Sequence, residues 1–176
     1  MSDTAMDRTI PTSSGLDQSA RMVELTAARG VEAIRGDVVD LPFDDGSFDC
    51  AVAAWMLYHA SDLDRALGEL RRVLRPDGRL VAATSSERNL AEVWELVGRI
   101  GAPGGGFTVE SADAAVRRHF RRVERRDVFG TVTFRNRTEA HEYVAATRSV
   151  EDADRLPKLA APLVASRRLA VFVCAP

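Results

Sequence analysis

Two acidic residues stand where a predicted strand ends and a helix or loop begins. Asp17 lies in the stretch GLDQSARMVEL, and Asp37 closes the stretch VEAIRGD. A carboxylate in the position of Asp17 can accept hydrogen bonds from both hydroxyl groups of a ribose, because its two oxygens form a fork. Asp37 can accept from an exocyclic amine while the backbone N–H of Val38 meets a ring nitrogen. Spacing alone leaves two simpler roles open, a helix cap for Asp17 and a turn residue for Asp37.

A third candidate position follows the apolar stretch FDCAVAAWML. It runs from Ala54 to His59. His59 could act as a general base for an oxygen or nitrogen nucleophile, or it could belong to the start of the next helix. Trp94 and Phe107 could line a substrate pocket, although core packing is the stronger expectation for Trp94.

These residues must be positioned by an alternation of strands and helices in the first half of the chain. The patterns predict strands ending at Asp17 and covering 31–37, 48–57 and 78–86, with helices over 19–29 and 61–76. Such alternation predicts a parallel sheet with crossover helices. Ligands bind beyond the carboxyl ends of the strands in such sheets. The nearly continuous apolar run at 48–57 indicates a strand that is covered on both faces.

The second half is predicted to complete the same domain. Helices are expected over 89–101, 111–120 and 138–149, and strands over 123–136 and 168–176 form an antiparallel pair at the sheet edge. The expected fold class is α/β, a Rossmann-like, mostly parallel sheet with flanking helices and an antiparallel C-terminal strand pair. Residues 1–14 are predicted to be a flexible N-terminal tail and residues 15–176 a single domain.

Composition excludes several classes of function. The 176 residues carry a net charge of −2, so no overall positive field attracts nucleic acid or an anionic membrane. The arginine-rich stretch at 117–126 is expected to be a solvated face. No apolar run has the length of a signal peptide or a membrane span, which predicts a cytoplasmic protein. Cys50 and Cys174 lie in apolar runs and are expected to be reduced core residues without a metal.

The order of the elements resembles the class I S-adenosylmethionine-dependent methyltransferases, in the branch that acts on small molecules. The resemblance covers residues 15–86 and is carried by GDVVDLPFDDGSFDCAVAAWMLYHASDLDRALGELRRVLRPDGRLV. It implies that Asp17 binds the ribose of S-adenosylmethionine, that Asp37 and Val38 bind its adenine, and that the backbone near Ala54 faces its methionine. The implied reaction is methyl transfer to a small-molecule acceptor. A nicotinamide-dependent oxidoreductase would also place an acid after its second strand, but it does not explain LPFDDGSFD.

One part of the family pattern is missing. Members carry a strand that ends in an acid-x-Gly-x-Gly loop, and no such motif precedes Asp17. The glycine cluster at 104–106 follows a predicted helix and is interpreted as an ordinary loop. The chain is therefore expected to be truncated at its N-terminus and to lack the first central strand, with unpaired edges on the strands that flank it. Two functions stay open, an impaired methyltransferase and an inactive remnant that binds or forms a homodimer through the open sheet edge.

Overall fold

The computed structural model describes residues 13–99 and 106–176. Within these ranges the strands are β1 (Ser14–Asp17), β2 (Glu32–Arg35), β3 (Phe48–Ala54), β4 (Leu74–Ser85), β5 (Arg122–Phe134) and β6 (Leu163–Ala175). The helices are α1 (Ala20–Ala27), α2 (Leu63–Val73), α3 (Ala91–Leu96), α4 (Ala112–Arg117), α5 (Arg137–Thr147) and α6 (Val150–Asp154), and a 3₁₀ turn covers Leu57–His59.

The predicted order of elements is confirmed, with differences at their ends. The helix expected over 89–101 ends at Leu96, and Gly98 adopts a left-handed conformation with φ of 71° just beyond it. Helix α6 was not predicted. Most of the tail expected over 1–14 lies outside the described ranges, and so do most of the glycines of the 104–106 cluster. Ser14 already belongs to β1.

The described strands form two separate sheets. β1 pairs with β2 in parallel, while the second sheet has the order β3-β4-β6-β5. β3 and β4 are parallel, and β6 runs antiparallel to both β4 and β5. Helix α1 connects the first parallel pair and α2 connects the second, as is typical of crossover connections. The expected α/β class and the antiparallel C-terminal pair are therefore confirmed.

The edges of β1 and β3 that have no strand partner in the described ranges border a cavity. Its volume is about 910 Å³, and it is lined by residues of β1, β2, β3, α2 and the loop before β3. Among the described strands, β1 pairs with β2 alone and β3 pairs with β4 alone.

The larger core lies on one face of the four-stranded sheet. Side chains of the sheet pack there against α2 and α4, and the buried set includes Ala53, Leu80, Phe172, Cys174, Leu67, Leu70, Ala115 and Val116. A second core joins α3, α5 and α6 to the far end of the β5–β6 pair and includes Trp94, Val144, Ala153, Phe134 and Ala165. No helix in the described ranges is long and apolar enough to cross a membrane.

The prediction that β3 is covered on both faces is wrong. Ala53 is buried against the larger core, but Val52 is 70% exposed and Cys50 and Ala54 are exposed as well. The reason is that α2 covers one face of β3. Helix α1, which precedes β3 in the chain, packs on β1 and β2. The expectation of two core cysteines is corrected for the same reason, since Cys174 is buried and Cys50 is not.

Candidate functional site

Asp17 ends β1 and remains exposed. Its Oδ1 accepts a hydrogen bond of 2.8 Å from the backbone N–H of Ser19. Ser19 itself caps α1, because its Oγ accepts from the N–H of Met22 at 3.4 Å. Asp17 is therefore not the capping residue of this helix. Its Oδ2 accepts no hydrogen bond from any residue in the described ranges, so the carboxylate keeps an oxygen for a ligand hydroxyl.

Asp37 and Val38 follow β2 directly beside Asp17. The N–H of Gly36 donates to the Asp17 carbonyl oxygen at 3.1 Å, which joins the carboxyl ends of the two strands. The Oδ1 of Asp37 accepts from the N–H of Val39 at 3.1 Å. Val38 is 5% exposed, and its N–H donates to no acceptor in the described part of the chain. Buried backbone donors normally have partners, so this N–H is suited to meet a ligand acceptor.

Gly36 lies against the side chain of Leu16 in the neighbouring strand. A Cβ added to Gly36 would lie 2.9 Å from the Cδ1 of Leu16. That distance is too short for two carbon atoms, so the Leu16 side chain would have to shift to accommodate a side chain at this position.

The loop after Val38 is fixed by an ion pair that the sequence analysis did not single out. The carboxylate of Glu69 accepts from the N–H of Leu41 at 2.9 Å and from the guanidinium of Arg72 at 2.8 Å. Arg72 also donates to the carbonyl oxygens of Leu41 and Phe43. These hydrogen bonds, with that to Arg72 foremost, hold the pKa of Glu69 below its ordinary value. The i, i+3 spacing of opposite charges in α2 was the available signal.

Ala54 stands in the other sheet, at the end of β3. It is aligned with Ala83 of β4. The next residue, Trp55, has a left-handed φ of 52° and donates its N–H to the Ala83 carbonyl oxygen at 2.9 Å. The structure thus brings Asp17, Asp37 and Val38 to adjacent strand ends, whereas Ala54 belongs to the other sheet. Of these four predicted residues, Val38 lines the 910 Å³ cavity.

A second cavity, of about 650 Å³, opens beyond the carboxyl ends of β3 and β4. Its aromatic lining consists of Trp55, Tyr58, His59, Trp94, Phe107 and Tyr143. Trp94 and Phe107 are almost completely buried, which confirms the expectation of core packing for Trp94 and places both rings at the cavity wall. His59 is exposed, and its ring lies 4.4 Å from that of Tyr58.

Comparison with known proteins connects this geometry with one family. Residues 3–82 match the family described as methyltransferase domain. Over 81 residues the chain is 36% identical to a demethylmenaquinone methyltransferase of Staphylococcus epidermidis, an alignment that covers 43% of this chain and 34% of that protein. The chain spans about one third or less of the length of the curated relatives it matches.

Solved structures resemble the fold over nearly the whole chain. A SAM-dependent methyltransferase from Thermotoga maritima, described as a possible histamine N-methyltransferase, is 21% identical with a TM-score of 0.59, and the match covers 93% of this chain and 72% of that one. The YcgJ protein of Bacillus subtilis is 16% identical with a TM-score of 0.65, covering 93% of this chain and 82% of the other. The shared fold therefore extends beyond the residues of the family match.

Proposed function

We propose that this chain, whose residues 3–82 match a methyltransferase domain family, is a class I S-adenosylmethionine-dependent methyltransferase and transfers a methyl group from that cofactor to a small-molecule acceptor. One observation carries the proposal. Asp17 and the pair Asp37–Val38 lie at adjacent strand ends, each with an atom that has no partner among the described residues. This is the edge of an α/β sheet where ligands bind.

The residues present fit the adenosine half of the cofactor. In the proposed complex the carboxylate of Asp17 accepts from the ribose hydroxyls, Asp37 accepts from the adenine amine, and the Val38 N–H donates to a ring nitrogen. When bound, the cofactor would supply an electrophilic methyl group to the acceptor. Ala54 would contact the methionine end through its backbone.

The acceptor is proposed only as a small molecule. One relative is a demethylmenaquinone methyltransferase, but the alignment covers 34% of it. The 650 Å³ cavity beyond β3 and β4 is within the roughly 300–1,000 Å³ that small-molecule sites occupy. Methyl transfer depends mainly on alignment and exclusion of water, so we assign no catalytic base to the reaction.

A second function is favoured by a different observation. Among the described strands, β3 has no partner on the side of the 910 Å³ cavity, and the face that carries Val52 is exposed. Unpaired apolar edges favour association with a further strand. In this second proposal the chain is an inactive remnant that binds or forms a homodimer through β3. The methionine end of the cofactor then has no complete site.

Calorimetric titration with S-adenosylhomocysteine separates the two proposals. We expect the purified 176-residue chain to bind this product with a Kd in the micromolar range, about −8 kcal/mol. Asp17→Asn keeps an oxygen for the Ser19 N–H but removes the charge, and binding should weaken by about tenfold or more. Asp77→Asn, near the amino end of β4, is the matched control and should bind as the wild type does.

Two results of this titration would contradict the methyltransferase proposal or its site. A folded protein that shows no heat of binding with S-adenosylhomocysteine would leave only the remnant proposal. Equal affinities for wild type and Asp17→Asn would show that the cofactor does not bind at the β1–β2 edge. Circular dichroism of each variant establishes that the fold is intact.

A further inference from the structure

Strained backbone conformations in the described ranges lie at the cavity beyond β3 and β4. Trp55 and Leu90 are the non-glycine residues with positive φ in the described ranges, at 52° and 55°. Both line this cavity. Side chains are rarely held in the left-handed region, and residues held there cluster at binding sites, where the surrounding structure imposes the conformation. The coincidence of both at one cavity points to a site rather than to an accidental gap.

Aromatic side chains contribute to the apolar wall of the cavity. The indole N–H of Trp94 donates to the Asn89 carbonyl oxygen at 3.0 Å, which fixes the orientation of this ring. The ring of Tyr143 lies 6.0 Å from that of Trp94 at an interplanar angle of 38°. Trp55 contributes a further ring that is 48% exposed. Flat apolar surfaces of this kind select flat ligands, because aromatic rings gain most from stacked or edge contacts with one another.

Two phenolic hydroxyl groups supply polarity within this wall. The hydroxyls of Tyr58 and Tyr143 have no hydrogen-bond partner among the described residues. Burial raises the pKa of Tyr58, and the nearby Tyr143 raises it further, so the Tyr58 phenol is neutral at physiological pH. A neutral phenol can donate one hydrogen bond and accept others. The pair is suited to an oxygen substituent on the ligand.

We propose that this cavity binds the methyl acceptor, and that the acceptor is a planar aromatic compound carrying a hydroxyl or carbonyl oxygen. Its ring lies against the rings of Trp55 and Tyr143, and its oxygen bonds to the hydroxyl of Tyr58 or Tyr143. As an assignment of the acceptor, this inference rests on the proposed methyltransferase function. The binding itself does not need the cofactor and can be measured alone.

Titration calorimetry with two alcohols of matched size tests the inference. The probes are 1-naphthol, which is planar, and decahydro-1-naphthol, which is saturated and not planar. We expect a Kd for 1-naphthol below about 1 mM and an affinity for the saturated alcohol at least about tenfold lower. Tyr143→Phe and Tyr58→Phe keep the rings, and at least one of them should weaken naphthol binding by about threefold to tenfold through the lost hydroxyl.

Trp55→Leu tests the exposed ring, with Phe129→Leu as its control. Phe129 is 75% exposed on β5 and does not line the cavity. Trp55→Leu should weaken naphthol binding by about tenfold, since it removes a stacking surface. Phe129→Leu should leave the affinity unchanged. Circular dichroism confirms the fold of each variant.

The outcomes distinguish this inference from the proposed function. Equal affinity for the two alcohols, an unchanged affinity in Trp55→Leu, or no naphthol binding by protein that does bind S-adenosylhomocysteine would each overturn the inference. Naphthol binding by a chain that fails to bind S-adenosylhomocysteine would support the aromatic site and count against methyl transfer. Binding of both ligands supports both.

Discussion

Glu69 and Arg72 control the loop that follows the proposed adenine site. Glu69 accepts from the Leu41 N–H, and Arg72 donates to the carbonyl oxygens of Leu41 and Phe43 and to the carboxylate of Asp45. The conformation of the segment after Val38 therefore depends on a charge in a different element, 28 residues away in sequence for the Leu41 contact.

The Glu69→Gln variant should be less stable at neutral pH. We expect the free energy of unfolding to fall by about 1–3 kcal/mol, because a partly buried hydrogen-bonded charge is removed. The pKa of Glu69 is lowered in the folded state from its ordinary 4.5. Its contribution is thus fully present above that value and is lost as the pH falls through the folded pKa. Urea denaturation at several pH values should show the two proteins converging as the pH falls below 4.5 and through the folded pKa of Glu69.

Glu151→Gln is the matched control for Glu69. Glu151 pairs with Arg155 across one helical turn, but its side chain is largely exposed. Its replacement should change the free energy of unfolding by less than about 1 kcal/mol at any pH. Equal stabilities of Glu69→Gln and wild type at pH 7 would refute the anchoring role of Glu69.

The strain at Trp55 can be measured by comparing two replacements. Trp55→Gly and Trp55→Val both remove the ring, but glycine accepts a φ of 52° whereas a β-branched residue does not. We expect the glycine variant to be more stable than the valine variant by about 1–2 kcal/mol in urea denaturation. At Val52, an ordinary strand position, the order should be reversed, with Val52→Gly less stable than wild type by about 1 kcal/mol. A valine variant at 55 as stable as the glycine variant would show that no strain is stored there.

At the scale of elements, β1, α1 and β2 form a weakly supported unit. Helix α1 has no buried residue, and it packs on β1 and β2. Its Met22 and Leu25 side chains are partly exposed. A two-stranded sheet is marginally stable alone. The unit that carries Asp17 and Asp37 therefore depends on its connections to the remaining fold, and a ligand bound at its edge should stabilise it.

Hydrogen exchange should reveal this difference between elements. We expect amides in 14–35 to exchange at least about tenfold faster than those in β4 and β6, which lie inside the four-stranded sheet. Mass spectrometry of peptic fragments gives both rates in one sample, so β4 and β6 are the internal reference. Saturating S-adenosylhomocysteine should slow exchange in 14–38 and leave the reference unchanged. Equal protection of both regions would contradict the weak support proposed for α1.

The sequence predicted the helices and strands better than it predicted how they pack against one another. The pattern over 61–76 was a local signal that α2 confirms, and the alternation of strands and helices correctly placed Asp17 and Asp37 at adjacent strand ends. The exposed face of β3 was missed because an apolar strand looks the same whether or not a helix covers it. The left-handed Trp55 was missed because its conformation is imposed by packing and by the bond to Ala83, neither of which is encoded locally.

At the scale of the whole molecule, the two edges of the four-stranded sheet differ in how well they are protected against pairing with another chain. The first half of β5 carries arginines and acids from Arg122 to Asp127, and such charges discourage pairing with another chain. β3 has the sequence FDCAVAA, in which Asp49 is the one charged residue, and it contains no proline. Its edge borders the 910 Å³ cavity. Of the two edges, β3 is therefore the one suited to pair with a second copy.

A lysine at Val52 should prevent such pairing. We expect the wild-type chain to associate with rising concentration in sedimentation velocity, and Val52→Lys to remain monomeric, because a buried unpaired charge at the interface costs several kcal/mol. Phe129→Lys places the same charge on an exposed apolar residue of the β5 edge and should leave association unchanged. Cys50, exposed on the same face as Val52, provides a second measurement: its reaction with a thiol reagent should slow as the dimer forms. Association that persists in Val52→Lys with unchanged Cys50 reactivity would place the interface elsewhere and would remove the observation that favours the remnant proposal.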